Sequence, residues 1–159
     1  MPDAPRRIGL ISDTHGLLRP EALAALSGCE HIIHAGDIGT PEVLRALEQI
    51  APVTAVRGNN DRAQWAKDIA ETEVAQLGDT LVYVLHDLHE IDVDPAAAGF
   101  HVVISGHSHQ PAVERRGGVL FVNPGSAGPR RFSLPVTVAI LNLAGAKIDA
   151  RIIDLAADR

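Results

Sequence analysis

The chain is short of several things at once, and each shortage excludes something. One cysteine, Cys29, in 159 residues rules out an internal disulfide and suits a reducing, cytoplasmic setting. Cys29 itself reads as a small apolar side chain at a helix end. Aromatic residues make up only 3% of the chain, so the core must be built from Ala, Val, Leu and Ile. The net charge is −6, and the basic clusters are mere pairs: Arg6-Arg7, Arg115-Arg116 and Arg130-Arg131. A duplex-binding protein shows a basic face, so long nucleic acid is not the expected partner, whereas a nucleotide-sized ligand stays open. No run approaches the roughly 18 apolar residues of a membrane span. The opening MPDAPRR carries charge but no apolar stretch behind it, which argues against a secretory signal. The length predicts one domain over residues 1–159, able to bury about two-thirds of its unfolded surface.

What the chain does have is histidine, eight in all. The stretch Ile8 to Gly16, IGLISDTHG, begins as a short apolar run and turns abruptly polar. That pattern predicts a buried strand followed by a tight loop. Strand alternation would aim Asp13 and His15 the same way and Thr14 the other. Downstream, Pro20 to Gly28 predicts a helix with Leu23 and Leu26 on its buried stripe. HIIHAGD (31–37) is a second strand ending in Gly and Asp. Thr40-Pro41 starts another helix, with Thr40 as N-cap, and VTAVRGNND (53–61) is a third strand running into a polar loop. Strand, helix, strand, helix, strand predicts parallel pairing with right-handed crossovers.

The second half changes character. TLVYVLHD (80–87) and HVVISGHSH (101–109) are apolar strands ending in histidines, with a short helix expected at DPAAAGF between them. Two hairpins follow: PAVERR and VLFVN about Gly117-Gly118, then VTVAILNL and AKIDARIID about Ala144-Gly145. In the last strand Ile148, Ala150 and Ile152 alternate with Lys147, Asp149 and Arg151, so one face is solvated. Hairpins after crossover units predict an α/β fold of two mixed sheets packed face to face with helices outside.

Five strand ends share one signature, an apolar run followed by polar donors: Asp13-x-His15, Gly36-Asp37, Gly58-Asn59-Asn60-Asp61, His86-Asp87 and Gly106-His107-Ser108-His109. Loops beyond the carboxyl ends of such strands converge on one crevice. Two carboxylates, one amide oxygen and four imidazoles exceed the needs of one metal ion and suit two. Metal pairs about 3.5–4 Å apart serve in-line displacement at phosphorus. One ligand must bridge them, and Asp37 is the natural candidate. The mixture of carboxylate, amide and imidazole without thiolate favours Mn, Fe or Zn over Mg or Ca.

The blocks SDTHG, HAGD, RGNND and GHSHQP, in this order and spacing, resemble those of the calcineurin-like metallophosphoesterases, in particular their small bacterial and archaeal phosphodiesterase branch. NPGSAGPR (123–130) resembles a further block of that branch, and the resemblance spans nearly the whole chain. It implies a four-layer α-β-β-α sandwich, two divalent ions (manganese first, with Fe, Zn or Ni as others) and hydrolysis of small phosphoesters by a metal-bridging hydroxide. Carried over residue by residue, Asp13, His15, Asp37 and His109 would hold one ion, and Asp37, Asn59, His86 and His107 the second. Asn60 would face the leaving group, and Arg130 could clamp a phosphate oxygen. Without a long apolar run no membrane partner is expected, and a homo-oligomer stays open. A eukaryotic retromer subunit resembles the same branch, so a metal-binding interaction scaffold with little catalysis is the alternative; the complete set of ligand types favours the enzyme. A nuclease is disfavoured by the negative net charge.

Two positions depart from the family pattern. Asp87 stands where glycine usually follows the histidine, which leaves His89 as a fallback ligand for His86. Asn60 stands where many members carry a histidine that assists the leaving group. The remaining candidates have plainer readings: His31 and His101 at strand starts, His34 packed behind the ligand loop, Asp61 orienting a ligand by hydrogen bonding or closing a turn, Asn123 and Ser126 shaping a wall, Trp65 in the core or rim, with stacking on a nucleobase as the lesser alternative.

An amide can stabilise a departing oxygen only by hydrogen bonding, whereas a proton donor typically contributes 10²–10⁴-fold. Nitrophenyl diesters should therefore be hydrolysed readily and alkyl diesters slowly, and Asn60→His should speed the poor leaving groups selectively. A series of aryl and alkyl diesters assayed on both proteins measures this. No dependence of wild-type chemistry on leaving-group acidity would place the proton donor elsewhere.

Overall fold

The apolar runs become strands, and the proline-led segments become helices. The computed structural model describes residues 5–131 and 133–156. The first sheet contains β1 (Arg6–Ile11), β2 (His31–His34), β3 (Val53–Ala55), β9 (Thr137–Ala144) and β10 (Lys147–Asp154). Its order is β10-β9-β1-β2-β3, with β1, β2 and β3 parallel and the β9–β10 hairpin antiparallel against β1. The second sheet contains β4 (Thr72–Leu77), β5 (Thr80–Leu85), β6 (Val102–Ile104), β7 (Ala112–Arg116) and β8 (Val119–Asn123), in the order β4-β5-β6-β8-β7. There β5, β6 and β8 are parallel, and the hairpin partners β4 and β7 lie antiparallel at the two edges. The expected pair of mixed five-stranded sheets is thus present.

Ile8, Leu10, Ile33, Val82, Val84, Ile104 and Leu141 meet between the sheets, fully buried or nearly so. The solvated last strand behaves as its alternation predicts: Ile148, Ala150 and Ile152 pack inward. Helices α1 (Pro20–Leu26) and α2 (Pro41–Glu48) cover the other face of the first sheet through Leu26, Val43 and Leu47. Thr40 takes the N-cap position of α2 with extended backbone but makes no side-chain capping bond; Pro41 supplies the preset first turn. The outer face of the second sheet is covered more thinly. Tyr83, Leu85, Val103 and Val119 are sealed by Leu88, Ile91, Val93 and Phe100 from a 3-10 turn (Leu88–Glu90) and the segment after it, and by Phe121 of β8.

Three local expectations change. The helix expected at 94–99 is a run of turns, closed by Ala98 N–H to Asp94 O and Phe100 N–H to Pro95 O; so few residues do not repay helix nucleation. The last hairpin turns on Gly145-Ala146, because Ala144 pairs with Lys147. Strand β4 was not anticipated: TEVAQL buries only Ala75 and Leu77, and its Glu and Gln are weak strand formers. No helix among the described residues is long and apolar enough to cross a membrane.

Gly9 in β1 sets how closely α1 lies on the sheet, since a Cβ there would stand 2.7 Å from Leu26 Cδ2 and 3.4 Å from Cys29 Sγ. Gly9→Val should cost about 1–3 kcal/mol by overpacking, partly relieved by Leu26→Ala in the same chain. Urea unfolding of the single and double variants measures this; an unchanged midpoint for Gly9→Val would show that α1 does not rest there.

Candidate metal centre

The loops leaving β1, β2, β3, β5 and β6 meet at the carboxyl ends of the parallel strands of both sheets. The parallel ladder continues past β1 and β2: Asp13 N–H donates to Gly36 O, His15 N–H to Asp37 O and Gly16 N–H to Ile38 O, at 2.8–2.9 Å. Asp13 and His15 converge, but not by strand alternation. Asp13, His15, Asp37, His107 and His109 all have positive φ, 47–69°, and are the only non-glycine residues among those described that do. Left-handed backbone is unfavourable for such residues and tends to persist where function over-determines it.

Each donor is aimed by partners that occupy its other atoms. Asp13 Oδ2 accepts from Ser12 Oγ (2.7 Å) and His107 N–H (3.1 Å), leaving Oδ1 free. Asp37 accepts from Asn60 N–H at Oδ1 (2.9 Å) and from Asn60 Nδ2 at Oδ2 (3.1 Å). His86 Nδ1–H donates to Ala35 O (2.7 Å), which turns the Nε2 lone pair toward the carboxylates. The imidazoles then close in. His86 Nε2 is 3.3 Å from Asp37 Oδ2 and 3.8 Å from Asp13 Oδ1; His15 Nε2 is 3.7 and 3.9 Å from the same two oxygens. His109 Nε2 lies 3.4 Å from Asp13 Oδ1.

Asp13 Oδ1, His15 Nε2, His86 Nε2 and His109 Nδ1 are buried without a hydrogen-bond partner. Buried polar atoms are rarely left so. Their ligand atoms form two overlapping groups, Asp13-His15-His109 and Asp13-Asp37-His86, each within 4.8 Å. This donor chemistry fits divalent cations. Asp13 is common to both groups, and Asp37 Oδ2 also faces an imidazole of each, His15 and His86.

Glycines let the backbone approach this closely. A Cβ at Gly58 would fall 2.2 Å from Asp37 Oδ1, and one at Gly106 would fall 2.7 Å from Asp13 Oδ2. Buried polar side chains lock the loops. Asp61 accepts from the N–H groups of Ile38, Gly39 and Gly58 at 2.9–3.1 Å, tying the β2 and β3 loops together. His34, held neutral with its pKa driven down to about 3 by burial, accepts from Gly36 N–H at Nδ1 and reaches Thr14 Oγ1 from Nε2 (3.0 Å). Thr14 in turn donates to Ile38 O (2.7 Å). Ser126 donates to Asp13 O, and Asn123 Nδ2 holds Gly106 O and Ser108 Oγ. The conformation of the NPGSAGPR block thereby bears on both metal loops.

Asn59 and His107 are more exposed and line, with His86, Asp87 and Glu90, a cleft of about 540 Å³ beside the buried cluster. His86 enters the cluster; the His89 side chain is 97% exposed and bonds Asp87 instead. Asn60 lies against Asp37. Arg130 is exposed, and among the described residues no hydrogen bond or ion pair joins it to the cluster. Arg131, which sequence reasoning passed over, is near enough for its charge to oppose protonation of His109. Only its place beside Arg130 could have signalled it. Asp87 also extends a carboxylate oxygen to 3.8 Å from His107 Nε2. His31 and His101 are structural: His31 Nε2 pairs with Thr54 Oγ1 and His101 Nδ1 accepts from Leu81 N–H. Trp65 packs against the core beneath the helices.

The environment separates the two carboxyls. Burial raises Asp13 above its ordinary value, only partly offset by His86 and Ser12. Burial also pushes Asp37 upward, but the His86 ring, the Asn60 N–H and the charge of His15 prevail and bring it to about 2. Burial lowers His86, yet Asp37, Asp13 and the Ala35 carbonyl outweigh it, and its pKa ends above the ordinary imidazole value. Below that raised value His86 carries a proton that an incoming cation must displace, so cation affinity falls as pH drops. Calorimetry in buffers of different ionisation enthalpy should find more protons released on loading at about pH 6 than at about pH 8.5. Equal release at both would show that His86 is not a site of displacement.

Residues 7–146 match the calcineurin-like phosphoesterase superfamily domain. The chain is 35% identical to a probable metallophosphoesterase of Methanothermobacter thermautotrophicus over 158 residues, covering 92% of this chain and 91% of that one. It is 30% identical to a phosphodiesterase of Methanocaldococcus jannaschii over 155 residues, covering 86% and 92%. The structure of vacuolar protein sorting 29 from Cryptosporidium parvum shares the fold, with a TM-score of 0.84 at 21% identity over 99% of this chain and 95% of that one. By sequence and by fold, the chain belongs to the calcineurin-like phosphoesterase superfamily.

Proposed function

We propose that the protein is a phosphodiesterase that hydrolyses small phosphoesters with two divalent cations, manganese foremost, held by Asp13, His15, Asp37 and His109 on one side and Asp37, Asn59, His86 and His107 on the other. The observation that carries this reading is the convergence of Asp13 Oδ1, His15 Nε2 and His86 Nε2, buried and unpartnered, in one small space. Bound there, the cations would supply positive charge for the phosphoryl oxygens and an activated water for attack. The chain's own contribution is positional. Ser12 and the His107 amide fix Asp13, the Ala35 carbonyl fixes the His86 tautomer, and Asp61 keeps the Asp37 loop against the β3 loop. Asn60, now donating to Asp37, is the group that would turn its amide toward the substrate's departing oxygen. The Arg130-Arg131 pair is our candidate clamp for a phosphate oxygen. A cytoplasmic location agrees with the single cysteine. The scaffold reading draws on the likeness to vacuolar protein sorting 29, which at 21% identity speaks for the fold alone.

Metal-stripped protein reloaded with Mn²⁺ should hydrolyse bis(4-nitrophenyl) phosphate. Asp37→Asn should lose more bound metal and more turnover than His15→Ala or His107→Ala. Near-normal turnover in Asp37→Asn would contradict a shared carboxylate. His86→Ala should empty the second site while His89→Ala leaves it filled, as read by metal analysis; the reverse pattern would transfer the role to His89.

A further inference from the structure

Beside the metal cleft lies a second, smaller pocket of about 250 Å³. Its walls follow from strand alternation. Ala112, Glu114 and Arg116 of β7 share the outer face of the second sheet, and Phe121 and Asn123 of β8 stand opposite them, paired Glu114 with Phe121 and Ala112 with Asn123. Leu88 and Pro111 close the sides. Phe121 is half-buried, and the Arg116 guanidinium covers its ring at 4.9 Å while held by Glu114 Oε2 at 2.9 Å. The pocket is thus mainly apolar, with one aromatic wall and a pinned planar cation. Its mouth is shared: Asp87 and His107 line both this pocket and the cleft that holds Asn59 and His86.

We propose that this pocket is a subsite for a phenol-sized aromatic ring esterified to the scissile phosphate, so that the enzyme is selective for aryl phosphodiesters. The inference rests on the phosphoesterase reading and deepens it. Apolar walls beside a cleft for an anion suit a substrate with a charged phosphate and a flat apolar ester group. Asn60 points to the same class, because a phenolate departs without a proton donor whereas an alkoxide does not. In the reaction, water oxygen forms a new bond to phosphorus and the bond between phosphorus and the aryl oxygen breaks. The phenolate leaves with the bonding electron pair, and the proton of water passes to solvent.

The test uses Ala112→Phe, which fills the pocket from an exposed position on the edge strand β7 and replaces no proposed metal donor. Two methyl diesters are compared, one with an aryl and one with a fluoroalkyl leaving group of matched acidity. Wild type loaded with Mn²⁺ should favour the aryl ester by about tenfold or more in kcat/KM, the scale of filling one apolar pocket. Ala112→Phe should abolish that preference, the aryl ester losing its advantage over the fluoroalkyl ester in kcat/KM. In parallel, phenyl phosphate is titrated into ¹⁵N-labelled protein loaded with diamagnetic Zn²⁺. It should shift the amide signals of Ala112, Phe121 and Val122 in wild type and not in Ala112→Phe. Hydrolysis of both esters at equal rates with no such shifts overturns the subsite. Ring-dependent shifts without hydrolysis of either ester would uphold the subsite and overturn the phosphodiesterase.

Discussion

Everything at the working end of this molecule answers to one constraint: two carboxyls, Asp13 and Asp37, are kept almost entirely out of water within reach of the same imidazoles. Burying a charge is costly unless it is paired, and a buried pair that lacks one partner leaves the other uncompensated. The chain meets this by giving Asp13 Oδ2 two donors and Asp37 two donors from Asn60. It does not complete the task. Asp13 Oδ1 and the facing imidazole nitrogens remain without protein partners, and divalent cations satisfy that donor set where another side chain would not. The left-handed backbone at five of these residues adds a cost of about 1–3 kcal/mol each. That cost is sustained because the flanking strands bury Ile8, Leu10, Ile33 and Ile104 completely and so fix where each loop must begin.

The same division explains what could be read from the sequence. Strands buried on both faces, such as those of LVYV and VVI, announce themselves as apolar runs, and the polar residues that end them mark the loops. Strand β4 was silent because an edge strand with Glu73 and Gln76 facing solvent has little apolar pattern to show. The donor residues were legible as types and positions, but not how they are aimed. Alternation seemed to account for Asp13 and His15, whereas the backbone turns left-handed at both. No propensity encodes that, since it is forced by the ladder from His15 to Asp37 and by Ser126 beneath Asp13. The closing of turns by Asp61 was legible; its grip on three amides from two separate loops was not, because it depends on tertiary approach.

Asp87 and Asn60 both lie on the more open side of the centre. Asn60 leans on Asp37, and Asp87 leans toward His107. Hydrogen bonding from His89 and the charge of His107 outweigh burial and hold the Asp87 carboxyl below its ordinary value, so it stays anionic beside the imidazole. Asp87 and His107 thus form a half-exposed wall shared by cleft and pocket, while the donors around Asp13 are buried.

The central claim is that this cluster is built for two cations with a carboxylate between them. Crystals grown with Mn²⁺ and measured on either side of the manganese absorption edge test it most directly, because anomalous difference density locates each ion independently of activity. The account predicts two peaks per chain, one among Asp13, His15 and His109 and one among Asn59, His86 and His107, with Asp37 touching both. A single peak, or density away from Asp37, would contradict it.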